Sequence, residues 1–169
     1  MKNKDLRLLT LTAMFAALTM LVTAYIMHIP TGFNNGYIHL GDTMIYIAAS
    51  MLPTPYALVA AAMGGALADI LSGAAVWAIP TAIIKALMVL PFTAKHERLL
   101  CKRNVLAIVI SGAIGIVGYA LAAMIMYGSF AAGVADVLPN VIQETAGGAM
   151  YVVLALALDR VKIKRLVDR

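Results

Sequence analysis

Charge is scarce in this chain of 169 residues: Asp, Glu, Lys and Arg make up 12%, against 63% hydrophobic residues. Soluble domains carry about 25% charged and roughly 45–50% apolar residues, so a water-soluble fold is excluded and a bilayer is the natural solvent. Cysteine is nearly absent. Cys101 stands alone, which excludes an intrachain disulfide and any CxxC zinc or redox pattern; beside Lys102 and Arg103 it reads as incidental. Neither HExxH, a serine nucleophile elbow nor a phosphate-cradling glycine loop occurs. His28, His39 and His96 are scattered and lack the companions a zinc site needs. No metal and no cofactor is expected, and an enzyme reading has little to stand on. At roughly 20 residues per span, the length holds at most about seven or eight spans and leaves no room for a soluble catalytic domain.

What is present is a series of apolar runs divided by proline and glycine. Six candidate helices cover 6–27, 40–52, 56–71, 79–93, 105–127 and 137–160. Pro30 and Gly32, Pro53 and Pro55, and Gly73 and Pro80 fall between them, as expected where helices stop before proline. The second to fourth runs are short against the roughly 17–25 residues of an ordinary span; short spans thin the bilayer or pack behind longer ones. The basic start followed by an apolar run resembles a signal peptide, but the run continues to Ile29 without a convincing cleavage site, so a retained first span is expected. The fold class that follows is an all-α integral membrane protein, residues 1–169 forming a single six-helix transmembrane domain.

Placing the cations orients this bundle. Of the 13 Lys and Arg residues, all but Lys85 flank the first span, lie between the fourth and fifth, or follow the sixth. All fall on one side of a six-span chain, so the positive-inside rule puts both termini in the cytoplasm. Topology thereby explains the net charge of +5, and with no aromatics interleaved among the cations a nucleic-acid surface is not indicated. Three connections, 30–39, 72–78 and 128–136, become extracytoplasmic. The first carries Phe33, Asn35, Tyr37 and His39 among glycines, which suits either a cover over a binding site or a loop with interfacial aromatic anchors.

Several polar residues sit where lipid would reject them. Lys85 lies inside the fourth span and needs a partner. Asp69 is the first candidate, because the lysine stem can snorkel outward. A structural pair between the third and fourth helices and direct ligand contact are both open. Asn140, Gln143, Glu144 and Gly147 follow i, i+3, i+4, i+7 and form one polar stripe, lining either a cavity or a helix contact. His39 and Asp42 are one turn apart at the start of the second span, where an acid is also favoured as a helix-terminus charge. Asp42, Asp69, Trp77, Thr81, Lys85, Asn140, Gln143 and Glu144, with the first loop above them, are expected to surround one outward pocket. Aromatic and apolar walls with few polar groups fit a small, uncharged or weakly charged heteroaromatic ligand. A phosphorylated ligand would require several cations.

Small residues recur at helix spacing: Ala13 and Ala17 in the first span, and Ala60, Gly64 and Ala68 in the third. Such ridges ordinarily pack helices of the same bundle closely. The strings Ile38-His39-Leu40-Gly41-Asp42, Gly64-Gly65-Ala66-Leu67-Ala68-Asp69, Trp77-Ala78-Ile79-Pro80-Thr81 and Pro139-Asn140-Val141-Ile142-Gln143, in this order and spacing, resemble the substrate-binding S components of energy-coupling factor (ECF) vitamin transporters. The resemblance covers essentially the whole chain. It implies a prokaryotic cytoplasmic-membrane subunit that captures a small vitamin-like substrate and works with a transmembrane T protein and two ATPases. It also implies a first loop that closes over substrate, and a coupling surface whose alanine-xxx-alanine signature matches Ala13 and Ala17. Among substrates, a B6-type pyridine or a hydroxymethylpyrimidine is favoured over riboflavin, folate or pantothenate. A self-contained proton- or ion-coupled transporter, using Asp69, Lys85 and Glu144 as a relay, and a structural membrane protein remain the alternative readings.

Overall fold

A computed structural model describes residues 3–26, 28–32, 34 and 36–167. The expected site residues Phe33 and Asn35 lie outside the described residues, as do the flanking Lys2 and Arg169. Among the described residues seven α-helices form: α1 (Asn3–Tyr25), α2 (Gly41–Met51), α3 (Thr54–Leu71), α4 (Ala78–Val89), α5 (Lys102–Tyr127), α6 (Phe130–Arg160) and α7 (Ile163–Val167). The first six answer to the six apolar runs, and the five-residue α7 is an addition. Between α1 and α2 lies a further element that apolar periodicity does not reveal, a two-residue antiparallel ladder of β1 (Ile29–Pro30) and β2 (Tyr37–Ile38), with Ile29 opposite Ile38.

Proline explains most of the boundaries and one departure from them. Pro53 precedes α3 and Pro55 sits in its first turn, where a missing N–H costs nothing. Pro139, by contrast, lies inside α6, which starts at Phe130 rather than at residue 137. The helix-forming run before it is continuous, and the Asn140 side chain donates to the Asp136 carbonyl at 2.8 Å beside the break. The connection 128–136 therefore shrinks to Gly128 and Ser129, with Gly128 ending α5 at φ 61°, a value glycine adopts without strain. Asp136 thereby moves from a loop onto a helix.

Four helices, α1, α3, α5 and α6, are long and apolar enough to cross a membrane, and α2 and α4 are shorter. The exposed faces are apolar, with Ile125 81% and Ile79 76% exposed, while polar groups turn inward. In a bilayer this is the expected inversion, since lipid solvates apolar side chains and rejects polar ones. Close approach is built from small residues: a methyl group on Gly64 would stand 2.8 Å from the Ala16 carbonyl oxygen, so α1 and α3 pack backbone to backbone there. Ala60, Gly64 and Ala68 all face inward, whereas Ala13 and Ala17 are exposed.

Hydrogen bonds define two ends of the bundle. At one, Asn104 of α5 and Asp159 of α6 bind the segment between α4 and α5, and Lys164 of α7 donates to the carbonyls of Ala94 and His96. We call this the basic end. At the other, the β1–β2 hairpin meets the C-termini of α3 and α5 and the N-termini of α4 and α6; this is the hairpin end. The core between them is dominated by Tyr46, Phe92 and Tyr151, with ring centroids 5.0 to 6.0 Å apart.

Candidate functional site

Helix α2 begins unusually, and its start organises the site. No hydroxyl or carboxylate caps it; instead Nδ1 of His39 accepts the Gly41 N–H at 3.0 Å. That bond requires a neutral ring with its hydrogen on Nε2. Burial favours the same state, pushing the imidazole pKa down to about 4. One residue on, Asp42 is completely buried.

Asp42 meets its partners from two other helices. Lys85 Nζ of α4 lies 2.5 Å from its Oδ1, and Gln143 Nε2 of α6 donates to its Oδ2 at 2.9 Å. Gln143 Oε1 in turn accepts the His39 backbone N–H at 3.3 Å. Glu144 is next along: its Oε1 is 3.9 Å from Lys85 Nζ, and its Oε2 accepts the Tyr46 hydroxyl at 2.5 Å. Gly115 leaves the room that the Glu144 carboxyl fills. Lys85 also lies 5.0 Å from the centroid of the Tyr119 ring, within cation–π range. Desolvating these charges is costly, and the close Lys85–Asp42 pair with its Gln143 hydrogen bond offsets that cost. The network therefore fastens α2, α4 and α6 together.

Asp69 is not the partner of Lys85, contrary to the sequence expectation. It accepts the Tyr37 hydroxyl at 2.6 Å, and the Tyr37 ring stacks on His28 with centroids 4.0 Å apart. The physical reason is competition: Asp42 approaches the ammonium through a fully buried path, whereas Asp69 stands at the end of α3 facing the hairpin.

Above the network opens a partly open cavity. Tyr37, His39, Asp69, Trp77, Thr81, Asn140 and Gln143 line it, together with Thr31, Gly36, Tyr119, Asp136 and Pro139. A second, more open cavity lies beside it under the hairpin and shares Gly36 and Tyr37 with it. The hairpin is pinned over both by Asn34, whose backbone is in the left-handed region at φ 51°. Asn34 Nδ2 donates to the Ala132 carbonyl at 3.0 Å and to Asp136 Oδ1 at 2.9 Å; its own carbonyl accepts Trp77 Nε1 and the Tyr127 hydroxyl, each at 2.9 Å. A cavity with aromatic walls, a few polar groups and a pinned cover is a ligand-binding arrangement.

Residues 3–160 match the family described as "ECF-type riboflavin transporter, S component". The chain belongs to this family. An uncharacterized protein "in gap 3′region" of Pyrococcus woesei is 31% identical over 132 residues, covering 75% of this chain and 84% of that protein. S components are substrate-binding transporter subunits and not enzymes, so the site's business is recognition and not bond-breaking. This S component is a multi-pass membrane protein.

The expected residues thus divide into two layers. Tyr37, His39, Asp69, Trp77, Thr81, Asn140 and Gln143 reach the cavity, while Asp42, Lys85 and Glu144 lie beneath it, bound to one another. Sequence reasoning missed Asn34, Tyr119 and Asp136. Asp136 had a signal, standing four residues before Asn140 on the same helical face. Tyr119 had almost none, being one aromatic within an apolar span.

Proposed function

We propose that this S component captures a small heteroaromatic vitamin or precursor, a B6-type pyridine or a hydroxymethylpyrimidine, in the cavity at the hairpin end. The observation that carries this reading is the lining of the cavity: Trp77, Tyr119 and Tyr37 offer aromatic surface to a ring, and Asp69, Thr81 and Asn140 offer polar groups to its substituents. The deeper polar groups are committed to holding helices, which leaves only this upper layer for the ligand. Phe33 and Asn35 complete the proposed substrate-binding set with Tyr37, His39, Asp42, Asp69, Trp77, Thr81, Lys85, Asn140, Gln143 and Glu144; the buried members act by fixing the floor.

Delivery is inward, with both termini cytoplasmic and the hairpin end outside, in concert with an ECF T protein and two ATPases in a prokaryotic cytoplasmic membrane. The exposure of Ala13 and Ala17 on α1, where they pack against nothing in the chain's own core, supports that pair as the coupling face. Riboflavin is the second reading, favoured by the description of the matched family. The self-contained coupled transporter is less well supported: Asp42, Lys85 and Glu144 close on one another, and Tyr46, Tyr151 and Phe92 fill the interior below them.

Thermal unfolding of the purified protein against a panel of B vitamins and their precursors tests the proposal. A true ligand raises the melting temperature by mass action. Stabilisation by a pyridine or pyrimidine supports the first reading, and by riboflavin alone the second. Silence across the panel sinks both. For orientation, an impermeant thiol reagent applied to intact cells is expected to spare Cys101, at the basic end, and to label a cysteine placed at Gly32.

A further inference from the structure

One wall of the cavity has a hydrogen-bonding requirement that the protein does not meet. Asp69 is only 5% exposed, and while its Oδ1 accepts from Tyr37, its Oδ2 is buried with no hydrogen bond closed within 3.5 Å among the described residues, the Thr81 hydroxyl being the neighbouring donor on the cavity wall. Buried carboxylate oxygens are acceptors only and are ordinarily satisfied. A second carboxyl, that of Asp136, lies on the same cavity, where Asn34 occupies one of its oxygens. Among the described residues, no Lys or Arg lines the cavity beside them. Lys85 does not line the cavity; it lies below with Asp42 at 2.5 Å and Glu144 at 3.9 Å. His39 spends its Nδ1 on the Gly41 N–H and stays neutral.

We infer that Asp69 is a specificity-determining residue of this site, whose free oxygen selects a ligand presenting an N–H donor, best of all a protonated amine or amino-substituted ring, and whose charge rejects phosphate esters. This deepens the capture reading above and rests on it. An N–H on a cationic or strongly polarised nitrogen makes a charge-assisted bond to a carboxylate, roughly twice as strong as a neutral one. A hydroxyl in the same place makes a weaker bond. A phosphate monoester would bring about −1.5 to −2 charges into a partly desolvated cavity already holding two carboxyls, where like charges repel far more than in water. The chain would thus take the free vitamin and leave its phosphorylated coenzyme form behind.

Isothermal titration of the purified full-length protein with four probes tests this: pyridoxine, pyridoxamine, 4-amino-5-hydroxymethyl-2-methylpyrimidine and pyridoxamine 5′-phosphate. The wild type is expected to bind an amino-bearing probe at least about tenfold more tightly than pyridoxine, and the phosphate ester on the order of 100-fold more weakly than pyridoxamine. Asp69→Asn, which keeps an acceptor for Tyr37, is expected to shrink the amine advantage to within about threefold. Equal affinity of the wild type for pyridoxamine and pyridoxine, or undiminished binding of the phosphate ester, overturns the inference and leaves vitamin capture standing. These wild-type ratios decide the matter even where the variant does not fold. An amine advantage that survives Asp69→Asn also overturns it. If the wild type ignores all four probes, the capture of a B6-type pyridine or hydroxymethylpyrimidine fails, and the role of Asp69 fails with it.

Discussion

The two ends of this bundle use their polar residues in opposite ways. At the basic end, Asn104 alone makes three hydrogen bonds, accepting from the Thr93 N–H at 2.9 Å and donating to the carbonyls of Thr93 and Leu99 at 3.0 and 2.9 Å. Asp159 accepts the N–H groups of Leu99 and Leu100. Tyr151 donates to Leu99 and bonds Ser50. These groups satisfy the non-helical backbone of the segment between α4 and α5, which could not otherwise sit against the membrane core. Toward the hairpin end, buried oxygens are left without a hydrogen-bond partner, among them Asp69 Oδ2, Ser72 Oγ and Glu144 Oε1. The difference teaches where to look for a binding site: the polar groups of the basic end are spent on backbone, whereas the cavity wall keeps an unpaired acceptor on Asp69.

The largest effect should come from the buried cluster of Asp42, Lys85 and Gln143 beneath the cavity. Lys85→Met leaves Asp42 buried beside Glu144 without its cation and is expected to destabilise the fold by about 3–5 kcal/mol, read by thermal or chemical unfolding in detergent. The double variant Asp42→Asn/Lys85→Met should recover most of that loss, because a neutral pair has no charge to compensate. Failure to recover would place Lys85 with the ligand-facing groups and break the division into two layers.

Second in size is the response to acid. The His39 imidazole takes a proton near pH 6.5 in the unfolded chain but only at about 4 when folded. The unfolded state therefore binds more protons between those values, and stability falls as pH drops from about 6.5 towards 4, by up to about 3 kcal/mol. In His39→Gln this part of the pH dependence should vanish. Next, Asn104→Ala is expected to cost about 2–3 kcal/mol, since it strands buried backbone groups, with ligand affinity unchanged. A changed affinity would mean that the two ends are coupled.

The smallest effect concerns the cover. Asn34→Gly keeps the backbone at positive φ and removes only the bonds to Ala132 and Asp136. Ligand dissociation, followed by stopped flow, should speed up by about tenfold, equivalent to about 1.4 kcal/mol, with little change in melting temperature of the unliganded protein.

Much of this architecture is legible in the chain. Six apolar runs and the prolines between them locate six of the helices, because bilayer length and backbone satisfaction leave few alternatives. The stripe from Asn140 to Gly147 points inward as its period requires. What period and charge do not reveal is which acid reaches Lys85. Depth along the helices points to Asp69, and the pairing with Asp42 depends on α2, α4 and α6 converging in space. The start of α6 is less legible, since the helix extends back through Pro139 to Phe130 where the apolar run points to residue 137. Asn34 was passed over between Phe33 and Asn35 because its role is a tertiary one: its carbonyl and side chain meet residues more than forty positions away.

Trp77 offers the most direct test of the central claim that the hairpin-end cavity is the capture site. It is the chain's one tryptophan, it is buried, and it lines the cavity. Titrating the purified protein with B6-type pyridines and hydroxymethylpyrimidines should change its emission saturably, and Asn140→Ala should weaken that response by about tenfold. A ligand that binds tightly by calorimetry while leaving the emission of Trp77 unmoved would contradict the account.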